Sequence, residues 1–164
     1  GGHAFVSYVR ERLPWLRELY ARSLPWGLIH GDAFLDNTLY ADGPAGSGEC
    51  ELKALVDWED SCVGPLVLDL AVCASACCFT GSNELIAERL HLLLTAYNSR
   101  RRLLPEERES LPDFMMAGAL ACGFYRFSEF NVRKPDSEAG AKESYALMFD
   151  RARRLELGSA ARAA

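Results

Sequence analysis

Leu28-Ile29-His30-Gly31-Asp32-Ala33-Phe34-Leu35-Asp36-Asn37 is the stretch from which the rest of the chain can be read. Trp26 to Ile29 is short and apolar and runs into a polar turn, as a half-buried strand does when it ends at a loop. The turn opens on His30-Gly31-Asp32 and, after four intervening residues, closes on Asn37. Thr38 to Ala41 reads as a second short strand. Glu51 to Trp58 reads as a third, and its end, Leu55-Val56-Asp57-Trp58-Glu59, again delivers a carboxylate at a strand tip. Asp and Asn are common turn formers, so either tip alone says little. The two together, inside one small β element, form a specific pattern.

Outward from this element the chain turns helical. Residues 3 to 22 carry Phe5, Val9, Leu13, Leu16 and Tyr20 at helical spacing, with Pro14 predicting a kink or restart. Asp42 to Gly48 is a turn-rich connector, read as a hairpin tip. Its Gly, four residues, Gly mimics half a phosphate-binding loop, but Glu49 and Cys50 follow where Lys and Ser or Thr would be required. After Gly64-Pro65, the span Leu66 to Phe79 is apolar nearly all round and predicts a buried helix. Glu84 to Arg100 predicts an amphipathic helix with Ile86, Leu90, Leu93 and Tyr97 on one stripe. A long helix is expected from about Leu111 to Phe130, capped by Ser110 and Asp113, with Pro112 in its first turn. A last one is expected from about Ser137 to Leu155. The fold class is α+β with helices dominant: residues 1–157 form one body around a small β-hairpin that carries the polar motifs, and residues 158–164 form a frayed tail.

Composition narrows the function. The 164 residues suit one domain, and 49% hydrophobic content supports a sizeable core. A net charge of −5 argues against a nucleic-acid partner, which needs a basic face. It does not exclude a nucleotide, because Mg²⁺ can sit between carboxylates and phosphates. No apolar run reaches the roughly 20 residues of a membrane span. The six cysteines form no Cys-x-x-Cys pairs, and Cys73 and Cys77 share one face of an apolar helix, so reduced, buried thiols are expected.

The polar residues of the β element fit one kind of chemistry. Asp32 is the candidate base: a carboxylate within hydrogen-bond reach of an alcohol orients it and accepts its proton. Asn37 and Asp57 offer a neutral and a charged oxygen, both suited to Mg²⁺; turn capping is their competing role. His30 is expected to brace the loop through hydrogen bonds. Asp69 is the only charge between Val63 and Phe79. A carboxylate in such surroundings needs donors, which predicts that it braces the loop at residues 30–37, with helix capping as the alternative. Glu59 and Asp60 could meet a cation or remain solvated. Arg126 could clamp a substrate carboxylate, or form a surface ion pair.

His30-Gly31-Asp32 through Asn37, Val56-Asp57-Trp58-Glu59, Gly64-Pro65 and Asp69-Leu70-Ala71 together resemble the aminoglycoside phosphotransferase family of small-molecule kinases, which share the protein-kinase-like fold. The resemblance implies transfer of the ATP γ-phosphate to a hydroxyl, with ATP and Mg²⁺ as cofactors, Asp32 as catalytic residue and Asn37 and Asp57 as metal ligands. Within the family the chain is most similar to the branch that phosphorylates homoserine. Leu24-Pro25-Trp26-Gly27, Ala96-Tyr97-Asn98-Ser99-Arg100 and the long helix to Arg126-Phe127 support this. Trp58-Glu59 and the Gly-rich connector depart from that branch. Aminoglycoside, choline or ethanolamine, and hydroxylysine remain as alternative acceptors, and a non-catalytic binding module as the alternative class. The resemblance covers a C-terminal lobe. The amino-terminal lobe of such kinases, with its nucleotide-covering loop and phosphate-binding Lys, has no counterpart upstream of residue 28 and is expected in cis. A cytoplasmic location is implied.

Overall fold

The computed structural model describes residues 2–43 and 50–163. Helix α1 (Gly2–Tyr20) is uninterrupted, with Pro14 inside it. A proline here frees the carbonyl four residues earlier. Pro14 and Arg10 are both exposed, so water can satisfy that group and no restart occurs. Leu19 returns to the side of Phe5 after about four turns; these two are buried, whereas Leu13 and Tyr20, expected inward, are exposed.

The β region departs from the expected single hairpin. Strands β2 (Thr38–Asp42) and β3 (Cys50–Leu55) pair antiparallel, with a register shift between Leu39 and Tyr40. Strand β1 (Trp26–Ile29), which leads to Asp32, pairs instead with β4 (Cys62–Pro65), from Trp26 opposite Pro65 to Ile29 opposite Cys62. No strand is expected at Cys62-Val63-Gly64-Pro65, which is short and ends in Gly-Pro. Pro is tolerated at a sheet edge, where its missing N–H is not required. This pairing draws the chain just after Asp57 back beside the end of β1. Residues 44–49 of the connector lie outside the described residues.

Helix α2 (Leu66–Cys77) buries Val67, Leu70, Ala71, Val72 and Ala74. Helix α3 (Ala87–Arg100) lays Leu90, Leu93, Leu94 and Tyr97 against that core. Helix α4 (Pro105–Phe127) begins well before the expected Leu111. Pro105 opens it, and buried Glu107 turns back to accept the Leu104 N–H at 3.0 Å while Arg101 binds both its oxygens. Ser110 and Asp113, expected as caps, hold Arg22 at 3.0 and 2.7 Å instead. A π-helical turn (Ser128–Arg133) follows. The expected final helix divides into α5 (Ala139–Glu143) and α6 (Tyr145–Ala163). The stretch after 157, expected to fray, therefore continues as helix to Ala163.

Helix α4 packs against both α2 and α6, and fully buried Phe114 sits in the core shared with Leu19, Val67 and Ala74. Phe5 joins α1 to the other end of α4 and to α6 through Phe127, Tyr145 and Phe149. Glu156 accepts from Tyr8 at 2.7 Å and from Arg12 at 2.8 Å, tying α1 to α6 a second time. Among the described residues no helix is long and apolar enough to cross a membrane.

Candidate active site

Three short connections set the geometry. The Leu66 N–H donates to the Pro25 carbonyl at 3.0 Å, fixing the start of α2 beside the start of β1. The Val56 N–H donates to the Asn37 carbonyl at 2.9 Å, extending the β2–β3 ladder to the residues that flank both polar turns. Gly31, with φ of 85°, passes so close to the Asp60 carbonyl that a Cβ would lie 2.5 Å from its oxygen. Only glycine meets both demands.

Asp69, in the first turn of α2, points its carboxylate at the end of β1. Its Oδ2 accepts the His30 N–H at 2.7 Å and its Oδ1 the Gly31 N–H at 2.9 Å. The donors are thus loop amides, not those of its own helix. His30 is buried between two further partners. Its Nε2 lies 2.9 Å from the Val56 carbonyl, which can only accept, and its Nδ1 lies 3.3 Å from the Asp32 N–H, which can only donate. These roles assign a neutral ring with the proton on Nε2. The Trp58 ring covers it at 4.6 Å, and the Trp58 indole N–H is held by the Leu55 carbonyl at 2.9 Å.

Asn37 is buried, and its amide nitrogen donates to the Asp32 carbonyl at 2.8 Å and to Asp32 Oδ2 at 2.9 Å. One carboxylate oxygen of Asp32 is thereby fixed in direction. Asp57 adopts the left-handed conformation, φ 63° and ψ 59°, just before a 3-10 turn at Trp58–Asp60. Asp32 and Asp57 line one cleft of about 420 Å³, together with Gly31, Glu59, Asp60, and an inner wall of Leu68, Val72, Ser75 and Cys122.

Asn37 does not line the cleft, and its side-chain oxygen has no protein partner among the described residues. Arg126 does not line the cleft; it is half-buried on α4 and donates to the Ser144 carbonyl at 3.4 Å. Tyr20, Tyr125 and Met148 also line it, from α1, α4 and α6. Nothing in their local sequence marks them. Burial pushes the Cys122 thiol up from its ordinary value.

Among the described residues no cluster of three or more His, Cys, Asp or Glu is arranged to hold a metal ion by itself. Asn37 and Asp57 supply one neutral and one charged oxygen from adjacent strand ends. That donor set suits Mg²⁺, which takes one or two protein ligands and completes its shell with water and phosphate oxygens.

The chain is similar to the homoserine kinase of Methylobacterium sp. (strain 4-46), 36% identical over 70% of this chain and 34% of that protein. It is 33% identical to the homoserine kinase of Beijerinckia indica over 80% of this chain and 39% of the relative. The homoserine kinase of Rhodospirillum rubrum is 36% identical over 63% of this chain and 30% of its own length. The chain thus spans about a third of the length of the curated relatives it matches. The model of the phosphotransferase enzyme family, APH, matches residues 5–104, which include both strand tips, the Asp69 brace and one wall of the cleft; the chain belongs to that family.

Proposed function

We propose that the complete protein transfers the γ-phosphate of ATP to the hydroxyl of homoserine, and that this chain is its C-terminal, acceptor-binding lobe. The observation that carries the reading is the convergence of Asp32 and Asp57 on one cleft, with Asn37 bonded to the first and beside the strand end that bears the second. The names of the relatives supply the acceptor.

Phosphoryl transfer depends mainly on positioning and charge stabilisation. In this reading Asp32 holds the acceptor hydroxyl and takes its proton, the free oxygen doing so while Asn37 restrains the other. His30 and Asp69 touch neither partner; they hold the backbone on either side of Asp32. Asp57 and Asn37 would hold Mg²⁺, which supplies positive charge against the phosphates. Leu28 and Val63, opposite each other on the β1–β4 sheet, and Leu39 and Tyr40 on β2 are exposed apolar side chains available for cover by the upstream nucleotide lobe.

The test is phosphate transfer from Mg²⁺–ATP by the complete protein over homoserine, hydroxylysine, choline, ethanolamine and an aminoglycoside. Preferential phosphorylation of homoserine is expected. Preference for another alcohol would move the acceptor, and transfer to none would favour a non-catalytic module.

A further inference from the structure

The inner end of the cleft brings together groups from three helices that no step above uses. Ser75 of α2 lines the cleft and is 3% exposed, and its Oγ has no hydrogen-bond partner among the described residues. Leaving a buried hydroxyl unpartnered is costly, and few native groups are left so. Beside it lies Arg151 of α6, 5% exposed. Its Nε donates to Asn83 Oδ1 at 2.9 Å, one terminal nitrogen donates to the Ser75 carbonyl, and the guanidinium sits 4.4 Å from the Phe79 ring centroid. All three partners are neutral. Among the described residues no carboxylate forms an ion pair with Arg151, so a buried cation is without a counter-charge.

Arg126 stands one turn beyond Cys122 on α4, outside the cleft lining, with its guanidinium on the Ser144 carbonyl. Cys122 lines the cleft and feels charges from both directions: Asp32 raises its thiol further, while Arg126 and Arg151 lower it. The lining of the cleft carries carboxylates at Asp32, Asp57, Glu59 and Asp60 and is neutral at the Ser75–Cys122 end, where Arg151 sits behind Ser75 on its carbonyl.

We propose that the Ser75–Cys122 end of the cleft seats a carboxylate of the acceptor, bound by the Ser75 hydroxyl in the field of Arg151 and Arg126, while the acceptor hydroxyl faces Asp32. This rests on the kinase reading and narrows its substrate class to short hydroxy acids, homoserine among them. The carboxylate gives Ser75 its missing partner and Arg151 its missing counter-charge. Choline, ethanolamine and aminoglycosides carry no such group.

The test separates binding from turnover, using the complete protein. Calorimetric titration compares homoserine, γ-hydroxybutyrate (carboxylate and hydroxyl only) and propanolamine (ammonium and hydroxyl only). Homoserine and γ-hydroxybutyrate should bind, and propanolamine at least about tenfold more weakly. Ser75→Ala removes a hydroxyl with no protein partner, so the fold tolerates it. It should weaken both carboxylates by about ten- to a hundredfold, the loss expected for a hydrogen bond to a charged group, and leave propanolamine unchanged. Arg126→Gln should weaken the same two ligands by a smaller factor. Arg151 also braces α6, so Ser75→Ala and Arg126→Gln carry the test without it.

Equal binding of propanolamine and homoserine, or wild-type affinity for γ-hydroxybutyrate in both variants, overturns the carboxylate seat. If homoserine is then still phosphorylated, the kinase reading stands without it. If the carboxylates bind in a variant-sensitive way but none that bears a hydroxyl is phosphorylated, the seat stands and the kinase reading falls.

Discussion

In the helical body, Phe114, Val67, Ala71, Ala74 and Leu19 are fully buried and make one continuous apolar core. Between residues 26 and 65 the buried set among the described residues is Ile29, His30, Asn37, Gly64 and Pro65, while Leu28, Leu39, Tyr40, Leu52 and Val63 face outward. Two of those five buried residues are polar, and each has its partners at fixed distances. One half is held by non-directional burial, which tolerates small displacements. The other is held by individual hydrogen bonds, which fix atoms and so suit a site. Asp69 belongs to both, since it grows from the apolar helix and grips the polar loop.

The contrast can be broken at four points. Asp32→Asn keeps an oxygen for the Asn37 amide but loses the base. In the complete protein kcat should fall by a factor on the order of 10² to 10⁴, with the melting temperature unchanged; a large shift in melting would mean that Asp32 is structural. Phe114→Ala should do the reverse, costing about 3–5 kcal/mol in denaturant unfolding while leaving KM for the acceptor unchanged in the folded fraction. A loss under about 1 kcal/mol would deny the body its burial-held character.

Asp69→Ala strips two loop amides of their acceptor, at about 1–3 kcal/mol each if water does not reach them. Amide exchange should accelerate across residues 30–37 and stay slow in α4. Unchanged exchange in the loop, with a loss near the roughly 1 kcal/mol of a helix cap, would assign Asp69 to its own helix alone.

The smallest effect concerns Cys73, whose thiol is pushed from 9.0 to about 12, first by burial and then by Cys77 4.0 Å away. A folded value above the unfolded one means that the stabilisation is whole below pH 9 and is lost as pH rises toward 12. Unfolding free energy should therefore decline over that window, by at most about 1.4 kcal/mol per pH unit from this group, and less steeply in Cys73→Ala. Parallel curves would show that Cys73 does not carry the decline.

Much of the candidate site is legible because it is local in sequence. Asp32, Asn37 and Asp57 stand at strand tips, and a lone charge in an apolar helix singles out Asp69. The β1–β4 pairing is not legible: four residues ending in Gly-Pro give no alternating pattern, and their partner lies more than thirty residues upstream. The start of α4 falls earlier than expected because Ser110 and Asp113 have cap chemistry that is used on Arg22, while Pro112 sits inside the helix with the freed Arg108 carbonyl on an exposed residue. Chemistry alone suggests Arg126 for the cleft, and the turn of α4 carries it past the lining toward Ser144. Ser75, Cys122 and Arg151 come from three helices, and their meeting exists only in the packing.

The left-handed backbone at Asp57 has a consequence for anyone redesigning this chain. Glycine or asparagine would occupy that conformation at least as comfortably as aspartate. The side chain is exposed and makes no hydrogen bond among the described residues. A library ranked by thermal endurance would therefore treat position 57 as open and let the carboxylate drift away. In the proposed kinase role, only a screen that demands turnover would keep it.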